Sequence, residues 1–210
     1  MKEYAHCHRL IGLTVLLVTL CLSAVPAFAQ EETPSQVNLQ FTGLINTDST
    51  GNGVTDRATH SAGLLASYTY MFNKWAAVEG SYGYSRNTQN YFAGGIGIGG
   101  VQGNIHEFTG AFRFGIPTST GKIRPFALAG SGALQFSPTS DIGNASGAAS
   151  QTKGVFLYGG GADFDLANHV GVRAEYRAFL YKAPDFTIPG MTTDSLTHLA
   201  QPSVGVFFRF

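Results

Sequence analysis

Charge, cysteine and long apolar runs are all scarce in this chain, and each scarcity closes off a class of protein. Only 12% of the 210 residues are Asp, Glu, Lys or Arg, against about 25% in an ordinary soluble domain. A soluble fold would show water a face full of Lys and Glu, and few are present to build one. Both cysteines, Cys7 and Cys21, fall in the first 29 residues. A chain that loses that segment has no disulfide and must rely on its hydrogen-bonded ladder and packing. Beyond residue 29 no apolar run approaches the roughly 20 residues of a membrane-spanning helix. A basic excess is missing too, because residues 30–210 hold 11 Lys or Arg and 12 Asp or Glu. That balance offers nucleic acid no patch and forms no charged tail. No spaced His/Cys/Asp cluster suggests a metal, and no cofactor is expected.

The beginning of the chain reads as a cleavable signal peptide over residues 1–29. Lys2 and Arg9 give it a positive start, partly offset by Glu3, and residues 10–22 form its apolar core. Ala27-Phe28-Ala29 supplies a small-x-small cleavage pattern before Gln30. The apolar core of about 13 residues is too short for a bilayer-spanning helix. Leu20 before Cys21 is too large for a lipoprotein signal. The expectation is an exported protein with one domain, residues 30–210.

What the chain has in quantity is glycine (27), phenylalanine (16) and tyrosine (9). Eight segments alternate with the two-residue period of a β-strand: residues 37–45, 62–71, 76–85, 105–115, 123–136, 154–166, 170–181 and 196–210. In the third, Val78, Gly80, Tyr82 and Tyr84 oppose Glu79, Ser81 and Gly83. In the fourth, Phe108, Gly110, Phe112 and Phe114 oppose Glu107, Thr109, Ala111 and Arg113. The fifth sets Phe126, Leu128, Gly130 and Leu134 against Ala127, Ala129, Ser131 and Gln135. The last sets Val204, Val206, Phe208 and Phe210 against Ser203, Gly205, Phe207 and Arg209. Pro202 removes a ladder donor there, which predicts a bulge or an unpaired position.

Connections alternate in length. Residues 46–61, 86–104, 137–153 and 182–195 are long, and the connections after the second, fourth and sixth segments are short. An up-and-down barrel with one wet rim has this rhythm. The run Gly94 to Gly100 lies in the second long loop, and no Lys-Ser/Thr follows it to make a phosphate loop. Aromatic residues gather at both ends of the segments. Tyr70, Phe72, Trp75, Phe112, Phe114, Phe164, Phe208 and Phe210 lie beside the short turns, and Tyr82, Tyr84, Phe108, Phe156 and Tyr158 beside the long loops. Two such girdles around an apolar band of about 25 Å suit a bilayer. The apolar face is therefore taken as facing lipid. Charges of both signs (Glu79, Glu107, Arg113, Asp163, Arg173, Glu175 and Arg177) are expected to pair inside a narrow lumen.

With these features the segment after residue 29 resembles the small eight-stranded bacterial outer-membrane barrels of the outer-membrane protein A and W superfamily. The resemblance implies an all-β, antiparallel, up-and-down transmembrane barrel, and the chain is expected to depart from the family in carrying no peptidoglycan-binding domain after the barrel. It also implies that the last strand, with Phe208 and Phe210, is read by the barrel-assembly machinery. Expected partners are outer-membrane lipid and an extracellular ligand at the long loops, with a monomer as the default state. The leading expectation is a structural, envelope-integrity or surface-interaction role with a filled lumen. A narrow passage for small or hydrophobic molecules is the alternative, which glycines 130, 132, 159, 160 and 161 would permit by opening a gap. An enzyme is not expected. In the adjacent pairs His60-Ser61 and His106-Glu107 the side chains point to opposite faces of a strand, and His169 and His198 stand near a turn or loop.

Overall fold

A computed structural model describes residues 35–116, 122–139, 147–188, 190 and 193–210. The signal peptide and the turn at residues 117–121 lie outside the described residues. Ten strands follow in chain order: β1 (Ser35–Asn46), β2 (Ser49–Gly51), β3 (Val54–Ala58), β4 (Ser61–Met71), β5 (Ala76–Ala93), β6 (Ile96–Gly115), β7 (Ile123–Pro138), β8 (Gln151–Asp165), β9 (Val170–Lys182) and β10 (Leu196–Arg209). Eight of them close a barrel in the order β5-β4-β1-β10-β9-β8-β7-β6, with β6 returning to β5. Every pairing is antiparallel. Ser35 and Phe210 exchange backbone hydrogen bonds of 3.1 and 2.9 Å where the first and last strands meet.

The turn between β4 and β5 shows how local sequence sets an edge of the barrel. Asn73 Oδ1 accepts from the Trp75 and Ala76 amides at 2.8 and 2.9 Å, an Asx turn that reverses the chain in four residues.

Two of the long loops are more ordered than their composition predicts. Residues 46–61 contain the β2–β3 hairpin, and β3 extends the sheet along β5 from Val54↔Ala93 to Ala58↔Gln89. Residues 86–104 are strand for most of their length, so β5 and β6 rise past the other strands as one tall hairpin. Gly94 and Gly95 alone form its turn, with φ of 57° and 84°, as a two-residue reversal with positive φ at both central positions requires. The remainder of the glycine run belongs to β6, where a register shift opposite Tyr91 and Phe92 leaves Ile98 without a partner.

Pro202 leaves an unpaired position and no bulge. Pairing with β1 lapses between Thr42↔Ser203 and Ile45↔Ala200 and resumes in unchanged register. The pairing with β9 is continuous through Pro202↔Tyr176. Proline lacks the donor for one of its two neighbours only.

The face assignment holds on most strands. Val37, Leu39, Phe41, Phe108, Phe112, Val204 and Val206 are exposed, and Gln36, Gln40, Thr69, Glu79 and Glu107 are buried in the lumen. Strand β7 reverses it. Phe126, Leu128, Leu134 and Phe136 are buried inside, and the outward face is Ala127, Ala129, Ser131 and Ala133. Register decides this, because Leu128 pairs with Arg113 on one side and with Gly159 on the other, and cross-strand partners share a face.

Glycines 159 and 161 lie on the inward row of β8 without opening a gap. A Cβ on Gly159 would meet the Tyr176 carbonyl, and one on Gly161 would meet the Ala174 carbonyl and stand 2.9 Å from Glu175 Cα and Phe126 Cζ. They allow close strand approach in a narrow, strongly curved sheet. Gly161→Ala is therefore expected to destabilise the barrel by about 1–3 kcal/mol in urea unfolding from lipid vesicles. Gly80→Ala, which faces open space, should leave the midpoint unchanged, and equal effects of the two would refute the close-approach reading.

Candidate functional site

The lumen is divided along its axis. Its lower half, toward the short turns, holds a charged cluster, and its upper half, toward the long loops, is packed mainly by apolar side chains, with Ser85, Asn87, Gln89 and Asp56 buried along β5 and β3.

Arg173, wholly buried, lies at the centre of the lower half. Its Nε and Nη2 donate to the two oxygens of Asp163 at 2.7 and 3.2 Å, and its Nη1 donates to Glu79 Oε2 at 2.7 Å. Glu175 Oε2 stands 3.7 Å from the same Nη1. Arg113 Nη2 donates to Asp163 Oδ2 at 2.6 Å. Arg177 spans the next level, donating from Nε to Glu175 at 2.5 Å, from Nη2 to Glu79 at 2.5 Å and from Nη1 to Glu107 at 3.2 Å. All seven charged residues read from the sequence thus meet in one connected cluster. The strand period puts them inward, and register brings Arg173 opposite Asp163 across β8 and β9.

Neutral side chains complete the carboxylates. Thr69 donates to Glu79 at 2.7 Å, Gln201 to Glu107 at 2.8 Å, Gln40 to Glu175 at 3.2 Å and Gln36 to Asp163 at 3.4 Å. These partners, unlike the charges, carry no distinguishing signal in the sequence beyond their inward parity. Phe126 was equally illegible. Its ring lies 3.8 Å from the Arg113 guanidinium carbon and 4.9 Å from that of Arg173, stacking that suits a planar cation. At the lower mouth, Asp165 accepts from Arg124 at 2.6 Å and from Arg209 at 3.4 Å. Glu79, Glu107, Asp163, Asp165 and Glu175 therefore face Arg113, Arg124, Arg173, Arg177 and Arg209. The charges balance, as burial demands.

Above this layer Leu65, Leu134, Leu157, Phe179 and Leu199 are each at most 1% exposed. Phe136 stacks on Tyr181 at 5.9 Å, and Phe186, from the β9–β10 connection, meets Phe136 edge-on at 6.4 Å. Tyr91 of the tall hairpin donates to the Pro184 carbonyl at 2.7 Å, which fastens that connection. Phe186 and Thr187 have φ of 49° and 60°, a costly conformation for bulky and β-branched residues that the surrounding packing must hold.

Asp56 of the β2–β3 hairpin pairs with Tyr91 of β5 and is buried on the same inward face. Burial, and then the Asp48 carboxylate, push its pKa up to about 7. With its amide turned so that Nε2 faces Asp56, Gln89 donates to both carboxylate oxygens at 2.9 and 3.0 Å, which works in the opposite direction.

The last strand carries Phe208 and Phe210 outward, both exposed, with rings stacked 6.1 Å apart. All thirteen aromatic residues of the two expected girdles are exposed. His106 and Glu107 point to opposite sides of the wall. His106 Nδ1 lies 2.9 Å from the Tyr82 hydroxyl, and Glu107 lies inside.

A closed sheet with an apolar exterior, aromatic borders and a charged, filled interior is built for lipid. The chain belongs to the outer membrane protein beta-barrel domain family. The family model matches residues 14–210. This barrel is similar in fold to the outer membrane protein OprG of Pseudomonas aeruginosa, at 16% identity and a TM-score of 0.59 over 84% of this chain and 95% of that one. Neisserial surface protein A matches at 12% identity and a TM-score of 0.57, covering 86% of this chain and 100% of the other. The outer membrane protein AlkL matches at 13% and 0.56, covering 88% and 94%. No curated protein matches. This barrel is a bacterial outer-membrane protein, and its outward face meets lipid.

Arg173→Met should leave Asp163 and Glu79 without their shared cation and lower unfolding stability by about 3–5 kcal/mol, read by urea titration in vesicles. An unchanged midpoint would count against the network. For Asp56 the folded pKa is raised, so the folded state holds a proton that the unfolded chain releases between pH 3.8 and about 7. Its contribution is complete below that window and is lost as pH rises through it, by up to about 1.4 kcal/mol per pH unit. Asp56→Asn should flatten the pH dependence of thermal unfolding over that window. A variant whose profile matches the wild type would exclude Asp56 as its source.

Proposed function

We propose that this protein is a non-enzymatic barrel that supports the outer membrane and presents its loops to the exterior, with a lumen that does not conduct. The observation that carries the reading is the stacking of a packed apolar layer, its leucines and Phe179 at most 1% exposed, over a charge-balanced one. An ion entering from the loop side would have to pass the packed leucine and phenylalanine layer, which offers no ligands to replace its water. One entering from below would have to displace arginines that are already paired. The seven-residue cluster acts in this reading as internal packing and as the constraint on strand register. An eight-stranded barrel is just wide enough for its side chains to fill.

Three partner assignments accompany the proposal. The exposed Phe208 and Phe210 at the closing strand serve as the signal read by the assembly machinery. The β2–β3 hairpin and the tall β5–β6 hairpin offer an extracellular ligand an ordered surface. Closure of every strand edge within the wall favours a monomer.

The test is heat-modifiable gel migration of the refolded chain, followed by planar-bilayer conductance on the same sample. A mobility shift without current is the expected outcome. Discrete current steps would overturn the filled lumen and favour a passage. Absence of any shift would mean that the refolded chain does not form a stable barrel.

A further inference from the structure

Outside the barrel, the character of the β5 and β6 surface changes just beyond the upper aromatic girdle. Tyr82 pairs with Phe108 across the two strands, Tyr84 with His106, and Arg86 with Asn104. Tyr82, Tyr84 and Arg86 all point outward. Arg86 follows Tyr84 by one two-residue step, about 7 Å along the strand and about 5 Å along the bilayer normal once the strand tilt is counted. That step leads from the aromatic border into the headgroup layer.

The side chains there form one hydrogen-bonded unit. Asn104 Oδ1 accepts from Arg86 Nε at 2.9 Å and from the Tyr84 hydroxyl at 3.1 Å. The His106 ring lies 5.4 Å from that of Tyr84 and bonds the Tyr82 hydroxyl. Asn104 thereby fixes the inner edge of the guanidinium and leaves both Nη groups free to donate. Among the described residues no carboxylate pairs with Arg86. The cross-strand residues on β7 are Ser137 and Gln135, and Leu64 of β4 faces Tyr84. The outward Arg57 differs, because Asp48 holds its Nε at 3.0 Å.

We propose that Arg86, with Tyr84, Asn104 and His106, binds the phosphate of an anionic lipid headgroup in the outer leaflet. The Arg fork matches two phosphate oxygens, and the neighbouring imidazole offers a further polar contact through Nε2. The lipid's chains lie along the apolar wall below, over Tyr82 and Phe108, which a free anion would not use. A cation placed at a lipid-facing surface with no acid among the described residues beside it finds its counter-charge in the membrane.

The test reconstitutes the full chain in vesicles of zwitterionic lipid doped with phosphatidic acid, extracts it in mild detergent and counts retained phosphatidic acid by native mass spectrometry. The wild type should retain it over the zwitterionic lipid. Arg86→Gln should lower retention about tenfold, as loss of a charge-assisted bidentate contact implies, and Arg86→Lys should fall between the two. Arg57→Gln should match the wild type. Equal losses in the Arg57 and Arg86 variants would reduce the effect to diffuse surface charge and overturn the site. Displacement of the lipid by millimolar inorganic phosphate would overturn the headgroup assignment in favour of a free anion. Heat-modifiable migration of each variant checks that the barrel is intact, and Asn104→Ala, which leaves the charge in place, should weaken retention in a folded protein.

Discussion

Lipid offers no partner to an open strand edge, and the rest of this structure follows from that constraint. A sheet in hydrocarbon must return on itself, because each unpaired backbone amide or carbonyl there costs several kcal/mol. The pairings of β5 with β6 and of β1 with β10 meet that requirement. Closing eight strands makes a tube so narrow that its inward row must be chosen as closely as any protein core. Glycines 159 and 161 admit the neighbouring backbone, and the residues across from them fill the space.

The interior solves two problems with two kinds of material. In the lower half, charges fix which strand residues lie opposite one another, since a shift by one residue would send an arginine into lipid and break several contacts together. In the upper half, leucine and phenylalanine exclude water without needing partners. Phe186 belongs to this second solution although it comes from a connection, and its positive φ indicates that local conformational preference yields to tertiary packing. The exterior shows a third arrangement. The apolar band ends in tyrosine and histidine pairs, and beyond them polar side chains stand at headgroup level.

Much of this was legible one residue at a time. The period of two located all eight wall strands, and the parity of Glu79, Glu107, Arg113 and Arg173 placed them inside. Legibility failed where the two faces of a strand had similar chemistry. On β7, Phe126 and Leu128 oppose alanines, so hydrophobicity alone assigned the larger residues to lipid. Small alanines on the lipid side are tolerated because lipid chains conform to them, whereas the lumen needs bulk. Legibility also failed where order came from a neighbour. Residues 86–93 read as loop, yet β6 pairs with all of them and β3 with residues 89–93, and these neighbours make them strand.

The sequence by itself determined the eight wall strands, the short-turn and long-loop rhythm, the outward aromatic belts and the set of charges to be neutralised, because each depends on chain-local period and composition. Only the tertiary structure decided which carboxylate meets which arginine, which face of β7 is inside, and how Phe186 seals the upper lumen. Those outcomes depend on register and closure. They are properties of strands far apart in the chain, as in the bond from Arg209 to Gln36, 173 residues apart, and no local pattern encodes them.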